Sequence, residues 1–164
     1  MRVHPEDRRL ARHPYLYRPS VARIPYLLTH PGGLPVISRM AAAGALAVRG
    51  VDAEASLPSG GVLDVPGRPT VVHTPGHTDG HCAFYFATRG VLLSGDALVT
   101  LDPYTGKRGP QIVANAATKD AATALRSLDA LEATEAGVVL TGHGDPWISG
   151  IASAARRAGV VGPH

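Results

Sequence analysis

The sequence predicts an α/β domain with helices layered on a sheet, and three observations carry that reading. Three β-branched runs, Val71-Val72-His73-Thr74-Pro75-Gly76-His77, Val91-Leu92-Leu93-Ser94-Gly95-Asp96 and Val138-Val139-Leu140-Thr141-Gly142-His143, each contain a stretch short enough for a buried strand. Ala121, Leu125, Leu128 and Leu131 form an apolar stripe at helical spacing, with Asp120, Arg126, Asp129 and Glu132 off it, which predicts a helix over residues 119–133. Strands come first and helices are interleaved later, the order expected of helices packed on a sheet.

Taken from the start, Val3-His4 reads as the stub of a strand and residues 6–12 as a short helical stretch. Pro14, Pro19, Pro25, Pro31 and Pro35 then forbid a continuous helix, because proline lacks the backbone donor and clashes with the preceding turn. A helix is predicted over 35–48, where Met40, Ala43 and Leu46 or Ala47 lie near helical spacing. Ser59-Gly60-Gly61 is a turn, and residues 62–65 and 70–72 read as strands around a Pro66-Gly67 turn. Residues 82–86 and 91–93 form a predicted hairpin about Thr88-Arg89-Gly90. Asp102-Pro103 and Thr105-Gly106 mark 101–109 as an exposed loop, residues 138–140 as the next strand follow the long helix, and 151–158 close the chain as a helix. No repeat or linker divides the chain, so residues 1–164 are expected to form one domain.

Composition narrows the function. The 45% hydrophobic content is globular, with only 5% aromatic residues. No apolar run is long enough to span a bilayer and the opening residues carry no signal-peptide core, so a cytoplasmic protein with no membrane partner is expected. Cys82 is the only cysteine, which excludes an internal disulfide. The net charge of +3 hides eight arginines in residues 1–50 against only Glu6 and Asp7. They are scattered among Pro and Tyr without a binding motif, so they read as a solvated face and no nucleic-acid partner is expected.

The chemistry lies at the ends of the three runs. His77, Asp96 and His143 each follow a glycine, which lets the backbone turn sharply and approach an ion closely. Imidazole and carboxylate suit zinc, iron or manganese better than calcium, and catalytic metal sites are commonly assembled from distant strand ends.

Thr74-Pro75-Gly76-His77-Thr78-Asp79-Gly80-His81, Ser94-Gly95-Asp96 and Thr141-Gly142-His143-Gly144 resemble the latter three metal motifs of the metallo-β-lactamase superfamily, and the likeness extends over residues 62–147. The resemblance implies the C-terminal part of an αββα sandwich holding up to two zinc ions: His77 on the first, Asp96 bridging, His143 on the second, with metal-bound water as nucleophile. The family's opening motif, His-x-His-x-Asp-His, is absent, while Met1 to Pro5 resemble the strand that follows it. The expectation is therefore an N-terminally truncated chain with two ligands per ion, too few for tight zinc binding.

The remaining polar residues read two ways. His81 is a substitute ligand or, preferably, a buried hydrogen-bonded histidine, and His73 faces the same choice; Cys82 is a small buried hydrophobe. Lys107 and Arg108 either hold an anionic small-molecule substrate at the rim or cap a solvated hairpin tip. Asp145 could orient His143, with Trp147 as an aromatic plug.

Within the family, many true β-lactamases carry Cys at the place of Asp96, and the nucleic-acid-processing members insert a domain that the short stretch between Asp96 and His143 cannot hold. The TPGHTxGH pattern with an Asp bridge most resembles the glyoxalase II-like branch, in which a helical domain follows the last His; here 21 residues follow His143. The resemblance thus implies a zinc-dependent hydrolase of an ester or thioester, incomplete in this chain. The alternative is a catalytically inactive remnant or split-protein half that acts as a binding module. Loss of covering strands predicts self-association, or pairing with a missing N-terminal segment.

Overall fold

A computed structural model describes residues 1–164 as a mixed α/β fold. The first part of the chain is built from short helices: a 3-10 turn at Pro5–Asp7 leading into α1 (Arg8–Arg12), then α2 (Arg23–Thr29) and α3 (Leu34–Ala42). Pro5, Pro14 and Pro31 each open a 3-10 turn, where the missing N–H is no loss. α2 escapes the sequence reading because Pro25 falls within its first turn, which needs no N–H there. α3 stops at Ala42, short of the expected residue 48, and Gly44 follows with φ of +96°.

Residues 62–65 correct an expectation. They are not a strand; Val62 makes one isolated bridge to Thr70, and the chain folds back through Arg68 N–H to Val65 O at 2.9 Å. Val62 and Val65 are both exposed, so the apolar alternation there has no buried face to pair onto.

The main sheet comprises β1 (Thr70–His73), β2 (Cys82–Phe86), β3 (Val91–Gly95) and, after a crossover, β6. Between β3 and β6 come β4 (Val99–Leu101), β5 (Arg108–Gln111) and α4 (Ala121–Glu132); β6 is Val138–Thr141 and α5 is Ile151–Val161. β1 and β3 each run antiparallel to β2, and β6 runs parallel to β3. β1, β3 and β6 therefore point the same way, and all three end at one edge of the sheet.

α4 and α5 cover one face. Ala83, Leu92 and Val139 from the sheet meet Leu128 and Leu131 of α4 and Ile151, Ala154 and Ala158 of α5 in the core. The small alanines of α5 allow close packing, and Asp120 caps α4 by accepting Thr123 N–H at 3.0 Å. Trp147 packs on this core and donates to Ser153 Oγ at 2.8 Å, as the plug reading expects.

The expected exposed loop over 101–109 is instead a tucked turn between β4 and β5. Asp102 is fully buried, accepts Tyr104 N–H at 2.9 Å and pairs with the His164 imidazole at 2.8 Å. A buried carboxylate with these partners holds the turn inward, which turn-forming dipeptides alone do not reveal.

On the other sheet face, register aligns Phe84 with Leu93 and Leu93 with Leu140. Phe84 and Leu93 are only half-buried and Leu140 is 39% exposed. No helix of the chain is long and apolar enough to cross a membrane. This face is closed at β1, where Val71 in register with Phe84 is buried, and open at its β6 end, so sedimentation velocity is expected to show reversible self-association of the isolated chain, reduced by Leu140→Asp; a monomer at every concentration contradicts it.

Candidate metal centre

The shared direction of β1, β3 and β6 delivers three loops to one place. After β1, Gly76 adopts φ of +130°, and a Cβ there would lie 2.3 Å from the Ala124 backbone nitrogen, so glycine alone lets the turn sit against α4. The carbonyl of His77 accepts from Tyr17 Oη at 2.7 Å and from Lys119 N–H at 3.2 Å. At the ends of β3 and β6, Gly142 N–H donates to Gly95 O at 2.9 Å, and a Cβ on Gly142 would fall 2.2 Å from Asp96 Oδ1. The His143 carbonyl is pinned by Thr100 N–H at 3.0 Å and Leu101 N–H at 3.2 Å.

These constraints place Asp96 between two imidazoles. Its Oδ2 lies 3.5 Å from His77 Nε2 and its Oδ1 lies 3.6 Å from His143 Nε2. Such separations are too long for good hydrogen bonds. They approach the spacing of about 3.4 Å that nitrogen and oxygen take when both bind one tetrahedral ion at 2.0–2.1 Å. The three residues do not supply one atom each within 4.8 Å of the others. The arrangement accordingly suits two cations that share Asp96 better than one cation gripped by all three.

Electrostatics agree with a cation-seeking site. Burial is the largest influence on His77 and lowers its pKa, with Asp96 opposing and His143 adding to the effect. The imidazole is thereby kept neutral with a lone pair to offer. Its Nδ1 is buried without a hydrogen-bond partner. The Asp96 carboxylate, with a side chain only 26% exposed, is likewise without a hydrogen-bond donor.

His81 holds Asp96 in place. Asp96 N–H donates to His81 Nε2 at 3.1 Å, which puts the ring proton on Nδ1, donated in turn to Thr74 Oγ1 at 2.7 Å. Burial drives the His81 pKa down to about 4, so the ring stays neutral and Nε2 remains an acceptor.

Other expected residues fall elsewhere. Asp145 does not orient His143: its exposed carboxylate faces Arg108 Nη1 at 3.4 Å, because its carbonyl is turned to Thr100 Oγ1 at 2.6 Å. Lys107 is exposed, and neither it nor Arg108 pairs with His77, Asp96 or His143. Cys82 is half-buried and burial raises its thiol pKa to about 11.

A second group, His4, Glu6 and His73, brings ligand atoms together, with Glu6 Oε2 3.9 Å from both His4 Nδ1 and His73 Nε2. The two rings stack at 4.4 Å and 14°. An ion must lie near the plane of each imidazole that binds it, and nearly parallel planes do not meet on one ion. His73 Nε2 is also occupied by the Asp79 carbonyl at 2.9 Å and His4 Nε2 by Ser59 Oγ at 2.8 Å. This cluster ties the start of the chain to β1. Asp7 does the same by accepting Gly80 N–H at 2.9 Å. Sequence reading missed Asp7 and Tyr17 because their partners are distant along the chain and no local pattern announces them.

The metallo-β-lactamase superfamily profile matches residues 2–143, and the chain belongs to that superfamily. The metallo-β-lactamase family protein TTHA1429 from Thermus thermophilus is similar at 29% identity and a TM-score of 0.58, over 94% of this chain and 50% of that one. TTHA1623 in a di-iron-bound form is 22% identical with a TM-score of 0.55, over 96% of this chain and 62% of that one. The BLEG-1 B3 metallo-β-lactamase is 16% identical with a TM-score of 0.54, over 98% and 64%. The last two likenesses establish a shared fold. This chain spans between half and two thirds of the length of these structures. No curated protein matches it.

The clamp on Asp96 has a measurable signature. The unfolded chain protonates His81 near pH 6.5 and the folded chain only near 4, so this residue's contribution to stability is present above 6.5 and is lost as pH falls toward 4. Urea unfolding of His81→Ala is expected to show a loss of about 2 kcal/mol at pH 7. Across that acid window the variant's stability should also depend less steeply on pH, and an unchanged slope would show that His81 is not the neutral clamp.

Proposed function

We propose that this chain carries the core of a zinc-dependent active site that hydrolyses an ester or thioester of a small molecule. His77, Asp96 and His143 are the metal ligands, and Asp96 is shared. The observation that carries the reading is the Asp96 carboxylate set between two imidazole nitrogens, one oxygen toward each. The superfamily consists largely of hydrolytic metalloenzymes. The Asp at position 96, with the TPGHTxGH run before it, favours the glyoxalase II-like branch over antibiotic hydrolysis. A cytoplasmic setting is part of the proposal.

The bound ions would supply Lewis acidity, acidifying water and polarising an acyl carbonyl. The chain's own residues do the positioning. His77 offers a neutral lone pair because burial holds its proton affinity down. Tyr17 fixes the His77 backbone, His81 fixes that of Asp96, and the missing side chain at Gly142 leaves room for the carboxylate. This chain gives each ion one imidazole and one carboxylate oxygen, fewer than the three protein ligands of usual catalytic zinc, so metal affinity and turnover should both be modest.

Zinc titration by calorimetry tests the assignment through an asymmetry. His77→Ala and His143→Ala should each remove one binding event, whereas Asp96→Ala should remove both and lower any thioester hydrolysis at least about a hundredfold. Zinc stoichiometry unaffected by Asp96→Ala would refute the shared-ligand site, and the same result with no turnover would leave the binding-module alternative.

A further inference from the structure

Beside His77 lies a cavity of about 290 Å³ that the metal centre does not account for. Its walls are Leu10, Pro14, Tyr15 and Val48, with Tyr17 and Arg23 toward His77 and Thr78. The walls are joined where Tyr15 Oη donates to Leu46 O at 2.8 Å. No acidic residue lines the space.

Arg23 is the one arginine or lysine in the lining. Arg12, Arg108 and Lys119 sit on the carboxylates of Asp52, Asp145 and Asp79, whereas Arg23, exposed at the rim of this cavity, has no carboxylate partner. It donates only to Ala116 O, at a long 3.4 Å, and lies 5.4 Å from the centre of the Tyr17 ring. The Tyr17 ring in turn lies 5.7 Å from that of His77. A guanidinium with spare donors at the end of an apolar cavity is a recognition element for an anion on an apolar arm.

We propose that this cavity is the substrate subsite and that Arg23 selects substrates whose apolar arm carries an anionic group such as a carboxylate. The inference rests on the hydrolase reading for its meaning. Its test is run on the metal-free chain, so failure of the metal assignment and failure of the subsite are separate results.

Hexanoate and the uncharged hexanamide serve as probes, titrated into residues 1–164 with binding followed by amide chemical shifts. Shifts are expected around Tyr15, Tyr17 and Thr78, with hexanoate bound about tenfold more tightly than hexanamide. Arg23→Gln should bring that ratio close to one without weakening hexanamide, which also shows that the cavity is intact. Arg89→Gln, on the turn between β2 and β3, should leave the ratio unchanged. A preference that persists in Arg23→Gln, an equal loss in Arg89→Gln, or no cavity shifts with either probe would overturn the proposal.

Discussion

The arrangement of the site depends on how Asp96 is held. A carboxylate left without a donor and largely screened from water is unfavourable unless a cation joins it, since burial penalises unpaired charge. His77 does not relieve this, because burial lowers its pKa and so keeps the imidazole neutral. What keeps the side chain in place is its backbone. The N–H bond to His81 and the pairing of Gly142 with Gly95 fix where the carboxylate must lie before any ligand arrives. This is preorganisation in the ordinary sense, with the unfavourable electrostatics balanced by folding elsewhere in the domain.

That folding comes from the sheet. Because β1, β3 and β6 share a direction, the loops after them must converge, and the parallel β3–β6 pairing sets Gly95 beside Thr141. α4 makes the crossover that parallel neighbours require, and its N-terminus receives the Gly76 turn. The same elements that bury Leu92, Leu131 and Val139 therefore also bring His77, Asp96 and His143 together. A substitution in that core would act on the site through register, without touching His77, Asp96 or His143.

Much of this was legible in the sequence, for a physical reason. Strand, glycine and candidate ligand follow one another closely at each of the three positions, so local pattern carried both the element and the residue that it presents. α4 was legible because its stripe is local as well, whereas the Asp120 cap was revealed only by the structure. What was not legible depends on contacts between distant segments. The turn after β4 looks exposed by its Asp-Pro and Thr-Gly pairs but is drawn inward by Asp102 and His164. Asp145 follows His143 closely in sequence, yet β4 claims its carbonyl and turns its carboxylate toward Arg108.

The first part of the chain shows the same limit from the other side. Its helices are too short to be stable alone, and their positions are set by ties to the sheet domain: Asp7 to Gly80, Tyr17 to His77, Ser20 to the Thr118 carbonyl at 3.0 Å. Two of these ties, at Gly80 and His77, run to the loop after β1. Loosening of α1 or α2 would therefore be felt first at His77, whose carbonyl shares its hydrogen bonds between Tyr17 and Lys119 N–H, and only afterwards at Asp96, which His81 and Gly142 hold from within the sheet domain. The two ends of the site thus differ in rigidity, with the Asp96–His143 half built into paired strands and the His77 half dependent on a segment with little secondary structure of its own.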